Sequence, residues 1–293
     1  MDYRNHLSPP QFPTTWASAW GEDCHGLWMT LTYQGASLTF RWIIPGTFMM
    51  GSPDGSKKDE PAEKGRANWE DQHKVTLEEG FWLADIPVTQ AFWQAVNGDN
   101  PSYFKDDDSL PVENVSWDDV QAFIQKLNQL HPDLTVRLPW EAEWEYACRA
   151  GTTTAFHFGD EIDASKANYR GVWEVKDIKS YENDKEWGKD ALKKTTPVKS
   201  YLPNSWGLYD MHGNVWEWCQ DEWQEHLGSE SVTLSPSTLG RGGGVREPPE
   251  GEQGRRVVRG GSWSSVGRYC RSAYRYRHAP DDRFDIDGCR LAL

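Results

Sequence analysis

Apolar and polar residues alternate along two early runs of the chain, 27–33 and 38–44. This alternation is typical of a strand with one buried face. A further strand is expected over 44–52, around the Pro45-Gly46 turn, and another over 75–83. The first third of the chain therefore predicts several short strands.

Helical spacing of apolar residues begins after Thr89, which we expect to cap a helix with Phe92, Trp93 and Val96 turned inward. Ser116 is placed to cap a second helix that ends near Leu130. The spacing of apolar positions within it is that of a helix with one buried stripe.

A third helix is expected from Pro139, because proline favours the first helical turn. Its carboxylates, Glu141, Glu143 and Glu145, could form a paired acid/base site. We favour the alternative that they suit a helix N-terminus and make structural pairs.

The remaining stretches are irregular. Residues 1–15 are polar and Pro-rich and are interpreted as an N-terminal arm or linker, while 54–71 is interpreted as a mobile surface loop. The segments 151–205 and 229–256 are expected to be long loops. The pattern predicts one α+β domain over 16–293, with two to three helices, small antiparallel sheets and extensive ordered loops.

The 293 residues carry a net charge of −14, with a sequence pI near 5.0. This balance argues against nucleic acid as a partner, because a phosphate backbone requires a basic face. The five cysteines are scattered without a CxxC pair, and no apolar run suggests a signal peptide or a membrane span. We expect reduced, buried thiols and a cytoplasmic location.

The C-terminal stretch, residues 259–293, differs in composition from the rest. After Arg259-Gly260-Gly261-Ser262-Trp263, tyrosines interleave with arginines and no helical or strand period orders them. Tyrosine and arginine are favoured at binding surfaces, since Tyr offers wide contact area and Arg a planar fork of donors. The alternative is a solvated loop with a few core aromatics. We expect a binding surface whose local basic charge suits an acidic or aromatic partner.

Four segments together resemble the formylglycine-generating enzyme (sulfatase-modifying factor) family, over roughly residues 40–293. They are 45–52 (PGTFMMGS), 137–145 (RLPWEAEWE), 207–218 (GLYDMHGNVWEW) and 259–263 (RGGSW). The resemblance implies that family's variant of the C-type lectin fold.

Oxidases of this family use two nearby cysteines that bind copper. On this sequence the second falls on Cys270, but the first position is Ser265. A serine hydroxyl is neither a soft copper ligand nor redox-active. The departure argues against oxidase activity, and we expect Cys270 to be a buried packing residue.

The C-terminal stretch is similar to that of variable proteins of diversity-generating retroelements. The matching segments are 259–263 (RGGSW), 270–273 (CRSA), Pro280-Asp281 with Arg283, and 288–292 (GCRLA). In such systems adenine mutagenesis turns Asn codons into codons ending in a pyrimidine, which cannot encode Lys, Glu, Gln, Met or Trp. A ligand-binding variable region is implied at about 263–288.

The candidate ligand-binding positions lie between these matching segments, and none holds one of the five excluded residue types. They are Ser264, Ser265, Val266, Tyr269, Tyr274, Tyr276, His278, Ala279, Asp282, Phe284, Asp285, Ile286 and Asp287. We expect these side chains to project outward and to tolerate exchange, since surface positions cost little when changed.

The family resemblance also implies structural calcium. A first site would use side-chain oxygens of Asn168 and Asp190 with the carbonyls of Tyr169 and Leu192. A second would use Asn214, the carbonyl of Val215, and Glu217. These are hard oxygen ligands, as calcium prefers. The alternative is that Asn168 and Asn214 hydrogen-bond the backbone of turns.

These observations predict a non-enzymatic, protein-binding variable protein of a diversity-generating retroelement. Its partner is an unknown protein or surface ligand, with neither nucleic acid nor membrane involved. The alternatives are a metal-dependent oxidase acting through Cys270 or another metal, and a fixed carbohydrate-binding or protein-binding module.

Overall fold

The computed structural model describes residues 7–174, 186–235 and 254–293. Within these residues the chain forms three α-helices and eleven short strands. The helices are α1 (Gln90–Asn97), α2 (Trp117–Leu130) and α3 (Glu141–Arg149). The strands are β1 (Ala19–Asp23), β2 (Gly26–Tyr33), β3 (Ala36–Ile43), β4 (Gly46–Met50), β5 (His73–Leu77), β6 (Phe81–Ala84), β7 (Trp216–Glu222), β8 (Val232–Leu234), β9 (Arg256–Arg259), β10 (Arg275–His278) and β11 (Asp287–Cys289).

The strands form three small sheets with the orders β1-β2-β3-β6, β4-β5-β8 and β10-β9-β7-β11. Most pairs are antiparallel, as predicted, but β5–β8 and β7–β11 are parallel. The third sheet gathers strands that are distant in sequence and contains both ends of the C-terminal stretch. It is therefore the element that positions the candidate site.

Helices α1 and α2 begin at the predicted caps. The Thr89 hydroxyl accepts a hydrogen bond from the Phe92 amide, and Ser116 forms a reciprocal capping box with Asp119. Helix α3 begins at Glu141, two residues after Pro139, so the proline precedes the helix instead of occupying its first turn. These caps satisfy amide groups that lack partners within the helix.

Two features of the strand pattern differ from the prediction. The 75–83 run, expected to be one strand, is divided between β5 and β6, and β1 forms where no strand was expected. The N-terminal stretch also contacts the first sheet where it is described: the Phe12 ring stacks 6.0 Å from the ring of Trp82. Apolar contacts with the sheet therefore hold part of the predicted arm in place.

The core is filled mainly by aromatic and aliphatic side chains between the first sheet, the helices and the third sheet. Among its largest fully buried members are Trp144, Trp218 and Trp223. In the described part of the chain, no helix is long and apolar enough to cross a membrane.

Candidate functional site

One face of the third sheet carries a row of aromatic rings from the C-terminal stretch. Tyr269 lies 4.7 Å from Tyr274 between ring centroids, and Trp216 lies 6.0 Å from both Tyr274 and Tyr276. The row continues through His278, 5.3 Å from Tyr276. Such contacts make a rigid surface that loses little entropy when it binds a partner.

The row ends at the surface with Phe284, whose ring centroid is 5.1 Å from that of His278. Phe284 is 41% exposed and Tyr276 is 38% exposed, so both present apolar area to solvent. Ser264, Tyr269, His278, Ala279, Asp282, Asp285 and Ile286 are partly exposed. Nine of the thirteen candidate positions therefore reach the surface at least in part.

The expectation of outward projection was wrong for Ser265, Val266, Tyr274 and Asp287, which are buried. The Ser265 hydroxyl closes the Arg-Gly-Gly-Ser turn by accepting a 2.9 Å hydrogen bond from the Ser262 amide. The Val266 carbonyl accepts from the Tyr269 amide at the start of a short 3-10 turn. Tyr274 packs between Tyr269 and Trp216, and Asp287 begins β11 beside β7.

Two arginines of the expected basic patch are buried in ion pairs, while Arg268 and Arg277 remain partly exposed. Arg271 binds Glu63 at 2.5 Å and Glu70 at 2.6 Å, and Arg275 binds Glu141 at 2.6 Å. Glu63 and Glu70 belong to the segment that we expected to be a mobile loop. Arg271 therefore ties that segment to the C-terminal stretch.

The carboxylates of α3 make structural pairs, as we favoured. The buried Arg259 pairs with Glu145, Arg149 also binds Glu145, and Arg137 binds Glu143. The opposite face of the third sheet is therefore an ionic layer of arginines and glutamates. Breaking a buried pair of this kind is costly, because one charge is left uncompensated.

Ser265 and Cys270 flank the turn that would hold copper in an oxidase. Cys270 is fully buried in a cluster with Ala155, Phe156 and Tyr169. Burial raises the pKa of the Cys270 thiol well above its ordinary value, so the thiol stays protonated at neutral pH. Of the five free cysteines, four are buried as expected and Cys24 is exposed.

The first implied calcium set offers one oxygen that lacks a partner. The Asn168 side-chain nitrogen donates to the Lys194 carbonyl at 2.9 Å and to the Asn214 oxygen at 3.2 Å. Its side-chain oxygen is buried without a hydrogen-bond partner among the described residues. Asp190 and Leu192 are exposed on the neighbouring loop. A buried amide oxygen without a donor is the kind of hard ligand that calcium accepts.

The second implied set does not fit calcium. Both carboxylate oxygens of Glu217 bind the buried Arg290 guanidinium, at 2.8 and 2.9 Å, and one also accepts from the Trp144 indole at 2.7 Å. The Asn214 oxygen accepts a hydrogen bond from the Thr196 amide. The charge of Glu217 is thus neutralised by Arg290. The Asn214 side chain hydrogen-bonds the backbone of a turn, which is the alternative that we considered for this residue.

An unusual acid lies beneath the outer end of the aromatic row. Asp287 is fully buried, and burial, followed by the charges of Asp282 and Asp285, raises the pKa of its carboxyl well above the ordinary value. The nearest counter-group is His278, whose Nε2 lies 3.8 Å from an Asp287 oxygen. Burial lowers the pKa of His278 to about 4, so that the imidazole is neutral at pH 7.

Sequence reasoning missed the aromatic residues that extend this surface from other parts of the chain. The Trp263 ring stacks 5.8 Å from Trp187 and meets Phe104 edge-on at 5.4 Å, while its indole N–H donates to the Asp285 carbonyl. Tyr103, beside Phe104, is 71% exposed. The consecutive aromatics Tyr103-Phe104 in a polar loop were the signal that could have found them.

Comparison with known proteins gives relatives of two kinds. The sulfatase-modifying factor enzyme 1-like domain family matches residues 37–293. The formylglycine-generating enzyme of Mus musculus is 33% identical over 75% of this chain and 53% of its own length. The inactive C-alpha-formylglycine-generating enzyme 2 of Bos taurus is 30% identical over 72% of this chain and 58% of its own. The chain thus spans little more than half the length of these relatives.

Among solved structures, Treponema denticola variable protein 1 superposes with a TM-score of 0.69 and 27% identity. The match covers 91% of this chain and 98% of that one. The fold, with three helices, small sheets and long ordered loops, is the one that the sequence predicted. The chain belongs to the sulfatase-modifying factor enzyme 1-like domain family.

Proposed function

We propose that this chain is a ligand-binding variable protein, diversified by a retroelement, which recognises a protein partner through its C-terminal surface. We define that surface as the candidate positions with exposed area between Ser264 and Ile286. The observation that carries the proposal is the contrast between buried and partly exposed residues within the C-terminal stretch. Buried arginines hold the third sheet, while partly exposed residues of types compatible with adenine mutagenesis lie over it.

Two further observations support a binding role. The likeness to a protein named a variable protein extends over 91% of this chain. The exposed rings of Tyr276 and Phe284 adjoin a packed aromatic row, and aromatic anchors on a rigid base are favoured at protein interfaces. Of the four buried candidates, Ser265, Val266 and Tyr274 then belong to the scaffold instead of the contact surface.

The oxidase alternative conflicts with the chemistry at the turn. Copper(I) prefers soft thiolates, whereas Ser265 supplies a hydroxyl and the Cys270 thiol is protonated and buried. We expect equally weak copper(I) binding by the unaltered chain and by Cys270→Ala. Tight binding that this substitution abolishes would favour the oxidase.

We also propose a structural calcium ion at the first implied set, Asn168 and Asp190 with the carbonyls of Tyr169 and Leu192. The support is the orphaned Asn168 oxygen. An ion at this point would link the 186–194 segment to Asn168. No part of the proposed ligand binding depends on it.

The proposed function is tested by sequencing this gene from many individual cells of one source population. We expect substitutions to concentrate in the codons of the C-terminal surface. Codons for Arg259, Arg271 and Arg275 serve as the matched control, because they lie in the same stretch but encode buried residues. Equal substitution rates in both sets would contradict the proposal and leave a fixed interaction module, for carbohydrate or protein.

A further inference from the structure

The carboxylate of Asp287 has no hydrogen-bond partner within the described part of the chain. Both of its oxygens are fully enclosed, and each is left without a donor. A buried carboxylate in this state is costly, since its charge is neither hydrated nor paired. Residues kept at such a cost are characteristic of functional sites.

The groups around Asp287 are arranged for a cation. His278 lies 3.8 Å from the carboxylate through Nε2, which is itself buried and without a hydrogen bond among the described residues. The rings of Trp218, Tyr276 and Phe284 surround His278, with centroids 6.0, 5.3 and 5.1 Å away. Aromatic rings attract ammonium and guanidinium groups, and here they lie around the imidazole that adjoins the carboxylate.

The loop that follows β10 is acidic. Residues 279–287 contain four aspartates and a single arginine, Arg283. Arg283 is engaged by Asp119 through two bonds of 2.6 and 2.8 Å. Since Arg271 and Arg275 are buried in ion pairs of their own, they do not offset this charge at the surface. The loop therefore presents acidic groups that attract a basic partner.

A metal ion fits these groups less well than an organic cation. In residues 7–174, 186–235 and 254–293, no group of three or more His, Cys, Asp or Glu side chains is arranged to hold a metal. A guanidinium, in contrast, matches a carboxylate with two parallel hydrogen bonds and stacks on aromatic rings. An opposite charge at this distance would also favour the ionised form of Asp287.

We propose that Asp287 is the recognition point for a basic side chain of the partner, an arginine or lysine inserted beneath the outer end of the aromatic row. This inference rests on the proposed function and specifies the chemistry of its partner. The cation enters by displacing Phe284, the most exposed ring of the row, and pairs with Asp287 beside His278. Because position 287 is a candidate varied position, the specificity belongs to this version of the surface.

The test uses N-acetyl-arginine amide as the probe and N-acetyl-citrulline amide as its neutral isostere. Each is titrated into the unaltered full chain while backbone amide signals are followed by NMR. We expect saturable shifts at Tyr276, His278 and Asp287 with a Kd in the millimolar range for the arginine probe, as befits a single small group. Citrulline should bind at least tenfold more weakly, because it cannot form the charged pair.

Two variants of equal charge change locate the site. Asp287→Asn keeps the shape of the side chain and should weaken arginine binding at least tenfold. Asp281→Asn removes an exposed charge from the same loop and should weaken binding less than twofold. Equal losses in the two variants, or equal binding of arginine and citrulline, would overturn the inference. The probe comparison uses the unaltered chain and stands even if a variant misfolds.

The outcome is separable from that of the proposed function. Diverse codons over the C-terminal surface, together with no saturable arginine binding, would leave a variable protein that recognises another chemistry. Invariant codons with arginine binding that depends on Asp287 would leave a cation site on a fixed module.

Discussion

Arg271 and Arg283 lie twelve residues apart in the same stretch but have opposite roles, so replacing each with alanine tests the division into scaffold and surface. Arg271 is fully buried and makes five hydrogen bonds of 2.5 to 2.9 Å, three of them to the carboxylates of Glu63 and Glu70. Arg283 has 49% of its side chain exposed and binds Asp119 and a nearby carbonyl.

The expected costs differ severalfold. Arg271→Ala leaves Glu70 buried without its cation, and breaking a buried pair in this way costs about 3–5 kcal/mol of unfolding free energy. Burial tends to raise the pKa of Glu70, but the hydrogen bond and charge of Arg271 bring it below its ordinary value. Arg283→Ala loses an exposed pair worth about 0.2–1 kcal/mol.

Urea unfolding at pH 7, followed by tryptophan fluorescence, measures both costs. If Arg271→Ala fails to fold, Arg271→Lys provides a second comparison, since it keeps the charge but loses the planar fork. We expect an intermediate cost for that variant. Losses below about 1 kcal/mol for both alanine variants, or a larger loss for Arg283→Ala, would refute the assignment of Arg271 to the scaffold.

Three other predictions follow from the buried groups. Asp287→Asn should stabilise the chain increasingly as pH rises. Because the pKa of Asp287 is raised in the folded chain, its favourable contribution to stability is complete below pH 3.8 and is lost progressively as pH rises above that value. Urea unfolding from pH 4 to 8 should therefore show a difference that grows by at most about 1.4 kcal/mol per pH unit, and a constant difference would contradict the burial of an unpaired acid. Free calcium at about 100 times its Kd should stabilise the unaltered chain by about 2.7 kcal/mol relative to the chelator-treated chain. The stabilisation should appear as a rise in Tm, and Asp190→Ala should abolish that rise. Ser265→Cys should confer copper(I) binding that the unaltered chain lacks, measured by competition with a chromogenic chelator; no gain would show that the turn cannot bring a second thiol near Cys270.

Local signals predicted the parts of the fold that depend on local physics. The caps at Thr89 and Ser116 are visible in sequence because the capping hydroxyl lies only three residues before the amide that donates a hydrogen bond to it. In contrast, β1 was missed because four of its five residues are exposed and no apolar alternation marks it. The motifs shared with the family predicted the remaining architecture.

The position of the candidate site along the chain was predicted, but which of its side chains are buried was not. Arg271 resembles its neighbours in composition, yet its partner Glu70 lies 201 residues away in the sequence. Burial of Arg275 likewise depends on Glu141, 134 residues distant. Periodicity cannot report such pairings, because they arise only when the three sheets come together. For the same reason two arginines of a stretch that is basic in sequence are buried in ion pairs in the folded protein.

The central claim is that a retroelement diversifies the C-terminal surface, and the DNA on the 3′ side of the gene tests it most directly. We expect a near-copy of the segment encoding residues 263–293, beside a reverse transcriptase gene. The copy should differ from the gene mainly where it carries adenine, and those differences should fall in the codons of the C-terminal surface. A flank without such a copy, or a copy whose differences are spread over all four bases, would contradict the account.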